Sequence, residues 1–181
     1  MSAPTTAMSA PATVASQNEF VITRVFHAPR KLVWQAWTEP KHMAAWFGPE
    51  TFTIPVCKMD LRPGGAWRLV MRGPDGSEYP LSGIYREIIR PERIVTSVDV
   101  SEHPDTWFDM VEPGRDSSKG KPRYDLGWTV TFEPVADGTK LSIHNHFPSH
   151  ALRDAFVKIG MSEGWGGSLD KLSKLLSRMR R

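Results

Sequence analysis

Met161-Ser162-Glu163-Gly164-Trp165-Gly166-Gly167-Ser168-Leu169-Asp170-Lys171-Leu172 opens the last helix of this chain, and its spacing decides how the rest is read. Trp165, Leu169, Leu172 and Leu176 fall at i, i+4, i+7 and i+11, one face of an amphipathic helix. Burying four large apolar side chains contributes roughly 6–12 kcal/mol as an upper bound, against about 5–15 kcal/mol for a whole domain. The helix is therefore part of the fold, not an appendage. Gly164, Gly166 and Gly167 each oppose helix formation by about 1 kcal/mol. They are tolerable where the helix start lies against a sheet, or near a ligand, too closely for side chains.

Near the other end, Ala28-Pro29-Arg30-Lys31-Leu32-Val33-Trp34-Gln35-Ala36-Trp37-Thr38-Glu39-Pro40 predicts a short helix that begins at Pro29 and breaks before Pro40. A second short helix over 41–46 stops at Gly48-Pro49. Everything between these helices and the last one reads as strands: 19–26 ahead of the helical pair, then 52–61, 66–72, 78–89, 93–100, 126–133 and 139–147. Pro63-Gly64-Gly65, Gly73-Pro74-Asp75-Gly76, Pro91-Glu92 and Asp137-Gly138 supply the turns, and short spacing means antiparallel neighbours. The expected class is α+β, a curved antiparallel sheet closed by helices. Residues 101–125 are the exception, a long polar stretch with an apolar centre at Trp107, Phe108 and Met110. That combination predicts a mobile loop serving as a lid.

The 181 residues are enough for one domain with a substantial core, and 40% hydrophobic with 24% charged residues are globular values. Residues 1–17 carry no charge and are mostly Ala, Ser, Thr and Pro, so they predict a disordered tail. They have neither the basic start and continuous apolar run of a secretory signal nor the arginines of a mitochondrial presequence. No stretch is long and apolar enough to span a membrane. A formal charge of +3 is mild, and Arg178, Arg180 and Arg181 (the basic end, 178–181) suit the negative end of a helix dipole better than a nucleic acid. The lone Cys57 rules out an internal disulfide and fits a reducing, cytoplasmic location.

The 28–40 segment, Trp46-Phe47-Gly48-Pro49, Asp60-Leu61-Arg62-Pro63-Gly64-Gly65-Ala66-Trp67-Arg68, Met71-Arg72-Gly73-Pro74-Asp75-Gly76 and the Glu163–Leu172 run together resemble the AHSA-type branch of the START-like (SRPBCC) superfamily. That branch is named for a domain of the activator of the 90-kilodalton heat-shock protein's ATPase. The resemblance covers about residues 18–177, in the family's order. It implies a helix-grip fold, a sheet gripping a long C-terminal helix with a cavity between them, which agrees with the element order read from the residues. Family members include ligand carriers, cyclases, hydrolases and co-chaperone domains, so function follows less directly than fold. The eukaryotic co-chaperone carries a separate N-terminal domain for which 17 residues leave no room, which puts a chaperone partner in doubt.

The expected cavity is lined from each element by residues of one parity. The strands offer Trp67, Leu69 and Met71, then Tyr79 and Tyr85, then Trp128 and Val130 beside Leu126 and Phe132, and Asn145 as one amide among Leu141, Ile143 and Phe147. The helices offer Trp37 and Trp46 near the start and Trp165 and Leu169 near the end. Aromatic walls with few polar handles suit a small apolar or amphipathic molecule. Ordinary core packing is the competing reading for any one of these residues.

His144-x-His146 has the spacing of a metal pair on a strand, but its parity points to the convex, solvent side, and no metal is expected. Glu87, of the same parity as Tyr79 and Tyr85, and Asp60 are the carboxylates to weigh for acid–base chemistry. Cys57 has no neighbouring base to activate it. No nucleophile elbow, Walker loop or dinucleotide fingerprint occurs, and no cofactor is implied. The expectation is a ligand-binding domain, with a homodimer as a possible assembly. An enzyme using the same cavity through Glu87, Asn145 or a tyrosine, and a chaperone-accessory module with the cavity filled, are the alternatives.

Overall fold

Pro29 caps α1 (Arg30–Thr38) and Pro40 is the first residue of α2 (Pro40–Trp46), so two prolines set the corner between the short helices. Proline at a helix start loses no hydrogen bond, and it holds the preceding Glu39 in the extended region at φ −101° and ψ 123°. The computed structural model describes residues 18–181; the tail expected at 1–17 lies outside the described residues. β1 (Glu19–Phe26) precedes this corner. β2 (Thr53–Met59), β3 (Ala66–Arg72), β4 (Glu78–Ile89), β5 (Arg93–Val98), α3 (Asp105–Val111), β6 (Leu126–Val135), β7 (Gly138–His146), α4 (His150–Lys158) and α5 (Met161–Met179) follow it.

The strands form one antiparallel sheet in the order β1-β7-β6-β5-β4-β3-β2. From β2 to β7 it is a meander, and β1 closes it beside β7, with Glu19 opposite His146 and Phe26 opposite Thr139. The sheet curls round α5, which buries Trp165, Ser168, Leu169, Leu172, Leu175 and Leu176 and packs on α1, α2, α4 and β1. This is the helix-grip arrangement. Pro55 falls in the edge strand β2, where the pairing register shifts between Thr53 and Val56, a place where a missing N–H is tolerated.

A second register shift changes a reading. β4 pairs Tyr85 with Thr96 but Glu87 with Val95, so two residues of β4 oppose one of β5. The bulge reverses the alternation. Ile88 turns toward the core, and Glu87 turns out to a surface ion pair with Arg93 at 3.2 Å. Period-two counting gave Glu87 the parity of Tyr85, and the extra residue is what breaks that count.

The 101–125 segment is not a structureless loop. It holds α3 and a 3-10 turn at Ser117–Lys119. Arg115, with only 6% of its side chain exposed, binds Asp105 at 2.9 Å and Asp109 at 2.8 Å and lies over the Phe108 ring at 5.8 Å. A seven-residue helix spans two turns, too few for a periodic pattern to emerge from the polar residues around it. The glycines of α5 also differ from one another. A Cβ on Gly167 would stand 3.4 Å from Glu50 N and one on Gly164 3.9 Å from Pro49, whereas one on Gly166 would meet nothing within 4 Å. Close approach therefore accounts for two of the three at most, and its partner is the loop after α2, not the sheet.

Candidate functional site: an aromatic cavity between sheet and last helix

Five of the seven tryptophans form one continuous column across the core. Trp67 stacks on Trp128 with centroids 5.5 Å apart, and Trp128 meets Trp165 edge-on at 5.4 Å. Trp165 faces Trp37 at 6.4 Å, and Trp37 meets Trp46 at 5.0 Å. Such offset and edge-to-face contacts are the favoured geometries of aromatic pairs. Three of the five indole N–H groups are tied down. Trp67 Nε1 donates to Thr96 Oγ1 at 2.7 Å, Trp46 Nε1 to the Ala36 carbonyl at 2.8 Å, and Trp165 Nε1 to Asn145 Oδ1 at 3.2 Å. Gly83 makes room for Trp67, because a Cβ there would come within 2.6 Å of its Nε1 and 2.0 Å of the Ser97 carbonyl oxygen.

Beside this column lies a cavity of about 320 Å³, open to solvent on one side. Trp128 and Trp165 line it, with Met71, Tyr79 and Leu81 from the sheet and Phe147, Phe156 and Met161 from the chain after β6. Phe47, Pro49 and Phe52, in and just after the turn that follows α2, also line it. That turn is held by Lys171 Nζ, which donates to the carbonyls of Phe47 at 3.3 Å and Pro49 at 3.1 Å. Partial burial lowers the Lys171 pKa, with Glu50 opposing the shift. No Asp, Glu, Lys or Arg lines the cavity among the described residues.

The family-level comparison covers most of this architecture: residues 27–177 match the family described as Activator of Hsp90 ATPase homolog 1-like protein. The chain belongs to that family. Among solved structures, a Nitrosomonas europaea protein superposes with a TM-score of 0.75 at 24% identity, covering 92% of this chain and 99% of the other. A Chromobacterium violaceum protein gives 0.66 at 28% identity over 88% and 96%. A Silicibacter pomeroyi protein titled AHSA1 gives 0.67 at 21% over 89% and 99%. No curated protein matches the chain significantly.

On this AHSA1-like frame the residues singled out in the sequence divide into groups. Met71, Tyr79, Trp128, Asn145 and Trp165 border the cavity. Trp37, Trp46 and Trp67 stand behind them in the column, and Leu69, Tyr85, Val130 and Leu169 are closed into the core away from it. Of the three lid residues, Trp107 reaches the cavity. Phe108 is fully buried without bordering the cavity, and Met110, 53% exposed, lines a separate shallow depression next to α4. Sequence parity could have added Leu81, which shares a face with Tyr79. Phe47, Phe52, Phe156 and His103 come from loops and short elements without a readable period.

The candidates for chemistry are occupied or shielded. Asn145 Nδ2 donates to the Phe20 carbonyl at 3.2 Å while its Oδ1 accepts from Trp165 Nε1, so this amide brackets β1 to α5. Asp60 is paired with Arg62 at 2.9 Å on the surface. Burial pushes the Cys57 thiol up to about 11, which keeps it protonated and a poor nucleophile near neutrality. Burial, with Cys57 and Asp60 nearby, likewise raises the Tyr85 phenol above its ordinary range. His144 and His146 share the Glu19 carboxylate at 3.5 and 3.0 Å, and His146 Nε2 meets Thr129 Oγ1 at 2.8 Å. Among the described residues no group of three or more His, Cys, Asp or Glu is placed to hold a metal.

His103 is the residue that sequence reading missed. It is 4% exposed, borders the cavity, and packs edge-on to Tyr79 at 5.5 Å and to Trp107 at 4.5 Å. Burial pulls its pKa down to about 4, with Lys121 adding to the effect and Asp99 and the Pro80 carbonyl opposing it, so the ring is neutral at pH 7.

Proposed function

We propose that this AHSA1-like chain binds a small, largely apolar or amphipathic molecule in the cavity between its sheet and α5. The observation carrying the proposal is the uncharged aromatic cavity of about 320 Å³, which falls in the roughly 300–1,000 Å³ range of small-molecule sites. A filled interaction module would have no use for this space, and the carboxylates weighed for catalysis are spent in surface ion pairs. Among the described residues no helix is long and apolar enough to cross a membrane, and a reducing cytoplasmic compartment fits the lone Cys57 thiol.

The test is a titration with the neutral dye N-phenyl-1-naphthylamine, read by its emission enhancement and by energy transfer from tryptophan. Near-stoichiometric binding to the native protein, weakened in a Trp128→Ala variant that remains folded, is the expected result. Native protein that leaves the dye unchanged overturns the proposal.

A further inference from the structure

Of the buried side chains whose polar atoms lack a partner, Trp37, His103 and Tyr124, only His103 borders the cavity. Both of its ring nitrogens are unpaired, and the Pro80 carbonyl lies near without a hydrogen bond of acceptable geometry. Leaving a buried donor and a buried acceptor unmade costs free energy that an apolar ring of similar shape would not. Such exceptions call for an explanation, and at the wall of a cavity the simplest one is a partner supplied by a bound molecule. Three other polar side chains of the lining are engaged within the protein, whereas Tyr79, Trp107 and Trp128 are half-buried and keep their polar atoms open to solvent. Asn145 is bonded at both ends, Ser168 donates to the Gly164 carbonyl, and His146 is held by Glu19 and Thr129.

Resting on the cavity reading above, we propose that His103 is the specificity-determining residue of the site, and that the ligand is an uncharged aromatic molecule carrying a hydroxyl group that hydrogen-bonds the His103 ring. A neutral imidazole offers one donor and one acceptor, and a hydroxyl can meet either. The aromatic lining, with Trp128, Trp165, Tyr79 and Trp107 around the space, suits a planar body. A lining without charged side chains leaves an ionic head group uncompensated. The nitrogens are closed off from water as the ring now stands. A turn about Cβ–Cγ that brings a ring nitrogen onto a ligand oxygen gives up at most the contact with the Pro80 carbonyl.

The experiment compares 2-naphthol with 2-methylnaphthalene, two probes of nearly equal shape, by titration into the full-length protein and into His103→Phe, with N-phenyl-1-naphthylamine alongside. The native protein should hold 2-naphthol roughly three- to tenfold tighter than the methyl analogue, the worth of one hydrogen bond net of desolvation, and His103→Phe should erase the preference while still binding the dye. Equal affinities, or a preference that survives the substitution, overturn the His103 assignment while dye binding leaves the cavity reading standing. Protein that binds neither probe nor dye overturns both. If the variant fails to fold, ¹⁵N-histidine spectra of the native protein decide. One of the six histidine rings should shift its nitrogen resonances with 2-naphthol and not with the methyl analogue, and spectra unchanged at saturation overturn the assignment.

Discussion

Acid should find this protein's weak point at His103. In the unfolded chain its imidazole titrates at the ordinary 6.5; in the fold burial holds it near 4. Between these values the unfolded state binds more protons than the native one, so stability falls as pH falls. The stabilisation is fully present above 6.5 and is lost on the way down to 4. Going from about pH 7 to pH 5, the two values give a loss of about 2 kcal/mol, of some 3 kcal/mol in all, a sizeable share of a domain's stability. The charged groups acting on the ring are Lys121 and Asp99, with Glu102, the next residue back, tied to Arg68 at 2.5 Å; Tyr79 and Trp107 are the flanking rings. The Asp99 and Glu102 carboxyls are themselves held below their ordinary values, so their losses come at lower pH. Urea unfolding at the two pH values measures the loss, and the same pair of curves on His103→Phe isolates the ring's share. The reasoning is refuted if both proteins lose the same stability over this interval.

Gly83→Ala would drive a methyl group to 2.0 Å from a β5 carbonyl and 2.6 Å from the Trp67 indole; a loss of at least 3 kcal/mol in chemical denaturation is expected, and a loss under 1 kcal/mol would show that the strands yield. Gly166→Ala adds a methyl in open space on α5 and should stabilise by about 0.5–1 kcal/mol, seen as a raised unfolding midpoint; destabilisation would mean the position is not free. Trp165→Ala should cost about 3–5 kcal/mol by urea unfolding, with Asn145 Oδ1 left unpaired as part of that cost, and a loss below 1 kcal/mol would contradict its burial. Lys171→Met removes the hold on the Phe47 and Pro49 carbonyls, so dye release in stopped flow should quicken several-fold while the fold persists; an unchanged rate would show the turn is held by other contacts.

The fold was legible because most of its strands keep a period of two and its last helix one of 3.6. Trp67, Trp128 and Trp165 could be gathered onto one interior from spacing alone, and the structure stacks them. Legibility ended where the period is broken or too short. One extra residue in β4 sent Glu87 to the surface, which no count along the strand could detect. α3 is so short that Trp107 and Phe108, adjacent in sequence, looked like one lid, although one borders the cavity and the other is sealed behind it. His103 was invisible because its role comes from what surrounds it, and nothing in a polar stretch announces a desolvated imidazole. The identical problem hid Lys171, whose partners are backbone carbonyls and leave no trace in side-chain pattern.

The pairing of β1 with β7 also bears on how a ribosome can deliver this molecule. Thr23 and its partner Ser142 are 119 positions apart, and α5 adds the Arg24–Asp170 ion pair later still. The meander from β2 to β5 can zip as each hairpin emerges, because its contacts are local. β1 and α1, made before the strand they join, must wait with their apolar faces uncovered until β7 has been translated. Newly made protein therefore passes through a period in which its earliest segment has a sheet to join but no edge yet to join it at, and truncated chains lacking β7 would carry that exposed strand permanently.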